Sequence, residues 1–86
     1  MIERVLVPVS VNLSYYHKTR IVMPKALVWE GRTYYITRVG HHHKYKQGRT
    51  LYYVFSVDTD TLFFRLVLNT DTLGWTLEEI ADGLPG

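Results

Sequence analysis

Three consecutive histidines at positions 41 to 43 are the residues that most directly suggest chemistry, because imidazole is the commonest metal ligand in proteins. His17 could supply a fourth ligand. Neighbouring side chains of an extended chain point to opposite faces, however, so only His41 and His43 could converge. No acidic residue lies within several positions to orient a ring. We therefore predict no metal and no cofactor, and interpret residues 41–49 as a solvated loop. Metal binding through His41–His43, or a pH-sensitive contact with an anion, is the alternative.

Catalytic residue types are absent or poorly placed. The chain has no cysteine, and Ser10, Ser14 and Ser56 fall inside predicted strands without a Gly-x-Ser-x-Gly turn. The acidic residues of the second half occupy predicted turns or a predicted helix start, where acids are common for structural reasons. The six glycines are isolated, so no phosphate-binding loop is present. We predict that the protein is not an enzyme and has no small-molecule substrate.

The charges are sorted along the chain. Residues 18–49 contain eight basic residues and one acid, Glu30, whereas residues 50–86 contain one base, Arg65, and six acids. The simplest interpretation is that the two parts pair in the fold. Alternatively the basic part, with its interleaved tyrosines, forms a nucleic-acid-binding surface. Its contact residues would be Trp29, Arg32, Tyr35, Arg38, Lys44, Lys46 and Arg49.

Alternating apolar residues predict that strands position these side chains. Residues 4–15 alternate strictly, and Pro8 cannot donate to a ladder, which favours an edge strand. Residues 25–36 form a predicted hairpin with Glu30-Gly31 as its two-residue turn, because glycine adopts a positive φ easily. In this register Trp29 faces Arg32, with its ring placed to lie under the guanidinium, and Leu27 faces Tyr34.

Two further strands, residues 50–57 and 62–68, each direct alternate apolar residues to one face. The link between them, residues 58–61, is short enough for a hairpin, so we predict that they pair. The opposite face of these two strands also carries apolar residues, which would be exposed unless another part of the chain or a second chain packs on them. A binding module for a protein partner, or for self-association, is therefore our first hypothesis, and nucleic acid is the alternative. The protein-contact residues would be Tyr52, Val54, Phe63 and Val67.

The last part of the chain predicts a short helix that packs Trp75 and Leu77 on the sheet. Thr76 and Glu79 have capping-box spacing, and Gly83 and Pro85 would end the helix. The predicted fold is all-β and mainly antiparallel, a small barrel or strongly curved sheet of about five strands with one short C-terminal helix. A chain of 86 residues suits a single domain, residues 1–86.

Composition also predicts where the protein resides. The absence of cysteine fits a reducing compartment. No basic, apolar leader opens the sequence, and no apolar stretch of 18 residues occurs. We expect a soluble, cytoplasmic protein without a membrane partner.

The sequence resembles an uncharacterised family of short bacterial proteins, a domain of unknown function with a Pro-x4-Trp-x-Gly-Arg-x-Tyr hairpin and a closing Trp-x-Leu. The likeness runs from about Pro24 to Asp82. Some relatives are found near genes for translesion DNA synthesis, and the resemblance implies at most a role near DNA metabolism. The residues that carry it are Pro24, Trp29, Gly31, Arg32, Tyr34, Val39, Phe55, Val57, Leu66, Trp75, Leu77 and Asp82.

Overall fold

The computed structural model describes residues 1–82, which form one antiparallel sheet of seven strands and contain no helix. The predicted all-β class is confirmed, whereas the count of about five strands is wrong. Accordingly, no helix in this part of the chain could cross a membrane. The strand order is β3-β2-β1-β7-β6-β5-β4. The strands are β1 Ile2–Tyr16, β2 Ile21–Trp29, β3 Arg32–Tyr35, β4 Arg38–Gln47, β5 Thr50–Asp58, β6 Leu62–Asn69 and β7 Trp75–Asp82.

The sheet curls back on itself around an aromatic core. Tyr34 on β3 and Phe64 on β6 have ring centroids 4.9 Å apart. In a flat sheet, four strand spacings of about 4.8 Å would separate these strands by roughly 19 Å. The sheet is therefore strongly curved, although no ladder joins β3 to β4 within residues 1–82. The core residues are Leu27, Tyr34, Phe55, Val57, Phe64, Leu66, Leu68, Trp75 and Leu77.

Strand β1 connects the two parts of this curved sheet. Its residues 2–9 pair with β7 and its residues 10–16 pair with β2. The register shifts between Arg4 and Val7 and again between Asn12 and Leu13, and such bulges bend a strand. The prediction of an edge strand is wrong for β1 as a whole, because β1 lies between β2 and β7, but around Pro8 the strand is a local edge next to a bulge, as the proline indicates. Pro8 is tolerated because β1 has only one neighbour there.

The predicted β2–β3 hairpin is confirmed. Trp29 pairs with Arg32 and Leu27 pairs with Tyr34. Glu30 and Gly31 have φ values of 52° and 74°, as a two-residue turn of type I′ requires. The predicted pairing of residues 50–57 with residues 62–68 is also confirmed, because these segments form β5 and β6, whose core-facing residues are cross-strand partners.

The predicted C-terminal helix is wrong. Residues 75–82 form β7, which lies between β1 and β6, and Gly83 and Pro85 fall outside the described residues. The register against β6 leaves Glu78 without a partner. This bulge shifts the parity, so that Trp75 and Leu77 face the core before it and Ile80 does so after it. The broken alternation explains why the segment resembles an amphipathic helix.

The predicted loop at residues 41–49 is also wrong, because most of it belongs to strand β4. Val39 pairs with Val57 and His41 pairs with Ser56, which leaves Gly40 as a bulge. Gly48, with a φ of 62°, lies in the tight turn to β5. The strand carries polar residues on both faces and lies at the edge of the sheet. No apolar alternation could reveal such a strand.

Candidate binding cleft at the open seam

The two edge strands of the sheet follow each other in the chain. Only Ile36 and Thr37 separate β3 from β4. The Ile36 amide donates a hydrogen bond to the Lys25 carbonyl, 2.9 Å away, beside β3. The Thr37 amide donates to the Asp58 carbonyl, 2.8 Å away, on β5. This junction therefore holds both walls of the curved sheet together at one point.

Beyond the junction the walls separate. Strand β2 pairs with β3 only over residues 26–29, so residues 21–24 have a neighbour, β1, on one side only. Strand β4 pairs with β5 alone. No Cα atom of β2 lies within 8 Å of a Cα atom of β4, whereas paired strands bring Cα atoms to about 4.5–5.5 Å. Two unpaired backbone edges thus border one gap.

We call this gap the seam cleft. Its volume is about 340 Å³, and it is open to solvent. Residues from the turn after β1, from the start of β2, and from β4 and β5 contribute to it. The lining residues are Arg20, Ile21, Val22, Met23, His42, His43, Lys44, Tyr53 and Phe55.

The floor of the seam cleft is apolar. Phe55 is buried in the core, and Met23 and Tyr53 are half-buried against it. Across the β4–β5 ladder His42 pairs with Phe55, and their rings lie stacked with centroids 6.1 Å apart. Lys44 pairs with Tyr53 in the same way. The side chains of His42 and Lys44 therefore project from the same face as the floor.

The cations around the seam cleft are free of ion pairs. Within residues 1–82, of the eight bases in the basic part only Arg38 contacts an acid, with its Nε 3.0 Å from the Asp58 carboxylate. The other ion pairs are those of the N-terminus with Asp82 and of Arg65 with Glu78. Arg65 Nε lies 2.9 Å from its partner oxygen but is not aligned for a hydrogen bond. The interpretation that the acidic part neutralises the basic part therefore holds only for Arg38.

The predicted polyanion-contact residues do not form one site. Lys44 lines the seam cleft, and Lys46 follows it on the same face of β4, opposite Leu51. Arg49 lies in the exposed turn after β4, and Tyr35 is exposed at the end of β3. Of this set only Lys44 lines the cleft, and Lys46 extends the same face of β4 beyond it.

Trp29, Arg32 and Arg38 are engaged within the chain instead. Trp29 packs edge-on against Phe64, with ring centroids 6.1 Å apart. The Arg32 guanidinium lies 5.0 Å from the ring centroid of Tyr34. The expected contact of Arg32 with Trp29 is therefore replaced by one with the next aromatic on its own strand. Arg38 is occupied by Asp58.

The predicted protein-contact residues do not form an exposed apolar patch. Val54 and Val67 are cross-strand partners on the outer face, and they are only 1% and 7% exposed. Tyr52 is half-buried and stacks on Tyr45 with ring centroids 5.0 Å apart. Phe63 is also half-buried and borders a shallow groove. The expected exposure is therefore wrong for Val54 and Val67, whereas Tyr52 and Phe63 keep part of their surface open to solvent.

The histidines of β4 divide between its two faces. The rings of His41 and His43 lie on one face with centroids 5.2 Å apart, as the alternation predicts, while His42 lies against Phe55 on the other. Over residues 1–82 no group of three or more histidine, cysteine or acidic side chains could hold a metal ion. The arrangement brings two imidazoles together at most.

One titratable pair lies beside the turn between β1 and β2. The pKa of Tyr16 is lowered from its usual value of 10.0, chiefly by a side-chain hydrogen bond with Lys25 and then by the positive charge of that lysine. The Lys25 amine also lies 5.5 Å from the centroid of the Tyr16 ring. Lys25 is the extra, unpaired residue of β2 at the second register shift, where Asn12 and Leu13 of β1 pair with Ala26 and Pro24.

Sequence reasoning did not identify the seam cleft. Of its floor residues, Met23 lies between two predicted strands and Tyr53 lies within a third. The cleft exists only because the first residues of β2 extend beyond the part of this strand that pairs with β3. Comparisons of the chain with protein-family models, with curated proteins and with solved structures find no match. The resemblance to an uncharacterised bacterial family therefore stays a prediction, and function must be argued from the geometry of the cleft.

Proposed function

We propose that this domain is a non-enzymatic protein-interaction module that binds an extended segment of a partner protein in the seam cleft. The observation that carries the proposal is the pair of unpaired strand edges, residues 21–24 of β2 and β4, that border the same gap. An unpaired edge presents a row of N–H and C=O groups that another strand can satisfy. On the β2 side Pro24 has no N–H, so the donors come from residues 21–23. Strand addition to such an edge is a recurring mode of peptide recognition.

The dimensions of the gap support this function. A strand placed between two walls lies about 4.8 Å from each, so the walls would stand roughly 10 Å apart. All Cα atoms of β2 and β4 are more than 8 Å apart, so the two walls are not paired directly and leave space between them. Alternate side chains of the added strand would rest on the apolar floor formed by Met23, Tyr53 and Phe55.

The edge of β4 is protected against some partners but not against all. Lysines and a bulge are the usual protection of an exposed edge, and β4 has Lys44, Lys46 and the Gly40 bulge. Positive charge repels a second copy of the same cationic edge. It does not repel a neutral or acidic strand. Since Lys44 and Lys46 form no ion pair within residues 1–82, both are available to contact acidic side chains of a partner.

The test is an amide NMR titration of the whole chain with a synthetic alternating Thr-Val peptide of strand length, about eight residues. We expect saturable shifts confined to the amides of residues 20–23 and 41–46, with backbone contacts between peptide and both walls. A control peptide with proline at alternate positions lacks the N–H donors along one of its two edges, because successive N–H groups of a strand point to opposite sides, and should bind much more weakly. Absence of binding, or shifts that map elsewhere, would overturn the proposal.

A nucleic-acid ligand is the second candidate. It is favoured by the cations that form no ion pair within residues 1–82, and by exposed tyrosines on the basic part of the chain or just before it. These are Tyr15, Tyr16, Tyr35 and Tyr45. A single strand bound by such groups loses affinity steeply with salt. Titration with an oligothymidylate at two salt concentrations tests it, with the triple variant Lys44→Ala, Lys46→Ala and Arg49→Ala. Unchanged affinity in this variant would exclude the candidate.

A further inference from the structure

The charge around the seam cleft specifies the chemistry of its occupant, an inference that rests on the proposed function. Lys44 and Lys46 are two residues apart on β4, so both project from the face that carries the floor. Their cross-strand partners on β5 are Tyr53 and Leu51, which bear no charge. Arg20 stands on the opposite wall. No acid of residues 1–82 forms an ion pair with any of these three cations.

The floor is not uniform along its length. At the His42 position the floor is apolar. His42 stacks on Phe55, and Met23 lies on the facing wall. At the next two positions with the same parity, the face ends in the Lys44 and Lys46 amines. A strand laid along β4 therefore meets an apolar position first and two cationic positions after it, at steps of two residues.

We propose that the natural occupant of the seam cleft is an acidic extended segment. It has an apolar side chain over Phe55 and Met23, and acidic side chains two and four positions away, opposite Lys44 and Lys46. The segment is thus defined by three alternate positions on one face, apolar, acidic and acidic. Side chains at the intervening positions point outward, toward His41, His43 and Tyr45, and carry less of the specificity.

The expected preference follows from the exposure of the lysines. Each solvent-exposed charge pair improves affinity by about 2- to 5-fold, so two acids should improve it by roughly 10-fold over a neutral segment. Charge reversal of the segment should weaken binding by a similar factor. Salt should reduce these differences in affinity, because the Debye screening length falls from about 10 Å at 0.1 M to about 3 Å at 1 M.

The experiment uses three peptides of one design, identical except for glutamate, glutamine or lysine at the two charged positions. Their affinities for the whole chain are measured by calorimetry at about 0.05 M and about 0.5 M salt. We expect the order glutamate, glutamine, lysine from tightest to weakest. The variant Lys44→Glu with Lys46→Glu should invert this order. The matched variant Arg4→Glu with Arg32→Glu has the same change in net charge away from the cleft and should preserve it.

The outcomes separate this inference from the proposed function. Equal affinities for the three peptides, or an order that both double variants change alike, would overturn the acidic preference while strand addition stands. Failure of every peptide to bind would overturn the proposed function and the inference together. Tight binding of an oligothymidylate with no binding of any peptide would replace both with the nucleic-acid function.

Discussion

The curved sheet has a closed side and an open side, and they differ in both pairing and charge. On the closed side β6 and β7 have a partner on each flank, and their inward residues Leu66 and Leu77 are fully buried. On the open side β4 has one partner, and all its residues except Val39 are exposed. The basic part of the sequence, residues 18–49, supplies β2, β3 and β4, whereas the acidic part supplies β5 to β7. The charge sorting seen in the sequence thus separates the flank with free edges from the flank that stabilises the fold.

The largest expected effect of this difference is on stability. Leu66→Ala should lower the free energy of unfolding by about 2–5 kcal/mol, because it leaves a cavity in the core. Lys46→Ala on the open edge should change it by no more than about 0.5 kcal/mol. Urea unfolding followed by tryptophan fluorescence measures both. Comparable losses in the two variants would mean that β4 is part of the cooperative core and that the distinction between the sides is false.

A smaller effect concerns the stretch of β1 that pairs on one side only. Leu6 has a φ of 56° and is exposed. This conformation costs an ordinary residue about 1–2 kcal/mol, and asparagine tolerates it better. Leu6→Asn should therefore stabilise the protein by about 0.5–1 kcal/mol. Leu13→Asn, at an exposed leucine of β1 without a positive φ, should bring no gain. Equal effects in the two variants would show that the bulge is not strained.

The smallest expected effect is on a single pKa on the open side. Lys25→Met should raise the pKa of Tyr16 toward its usual value of 10.0, because the hydrogen bond and charge that lower it are removed. A lowered pKa favours the ionised phenol, so the pair stabilises the fold only at alkaline pH, and this stabilisation is lost as the pH falls through the pKa. NMR titration of the Tyr16 ring measures the shift. Lys18→Met is the control, and an equal rise in both variants would contradict the assignment.

Local patterns were sufficient where one face of a strand is buried and no bulge interrupts the alternation. The β2–β3 hairpin was predictable because Gly31 marks its turn and the alternation around it is regular. The pairing of β5 with β6 was predictable for the same reason. In these segments hydrophobic periodicity and turn chemistry indicate the same structure.

Bulges and edge strands could not be recognised from hydrophobic periodicity. The extra residue Glu78 changes which residues of β7 face the core, so the apolar residues of this central strand have the spacing of an amphipathic helix. Strand β4 buries almost nothing, so its residues read as a loop. The seam cleft depends on where β2 loses its partner, and that boundary is set by the length of β3 and by the junction at Ile36. None of these is a property of a single segment, which is why the site could not be predicted.

The proposed function requires that β4 and the start of β2 are unpaired edges that an added strand completes. Amide hydrogen exchange of the whole chain, with and without the glutamate peptide, measures whether these edges gain hydrogen bonds. We expect fast exchange of amides on the open edges of residues 21–23 and 41–46 in the free chain, slow exchange in β6 and β7, and strong protection of both edges on peptide binding. Slow exchange of these edge amides before any peptide is added, or no protection afterwards, would contradict it.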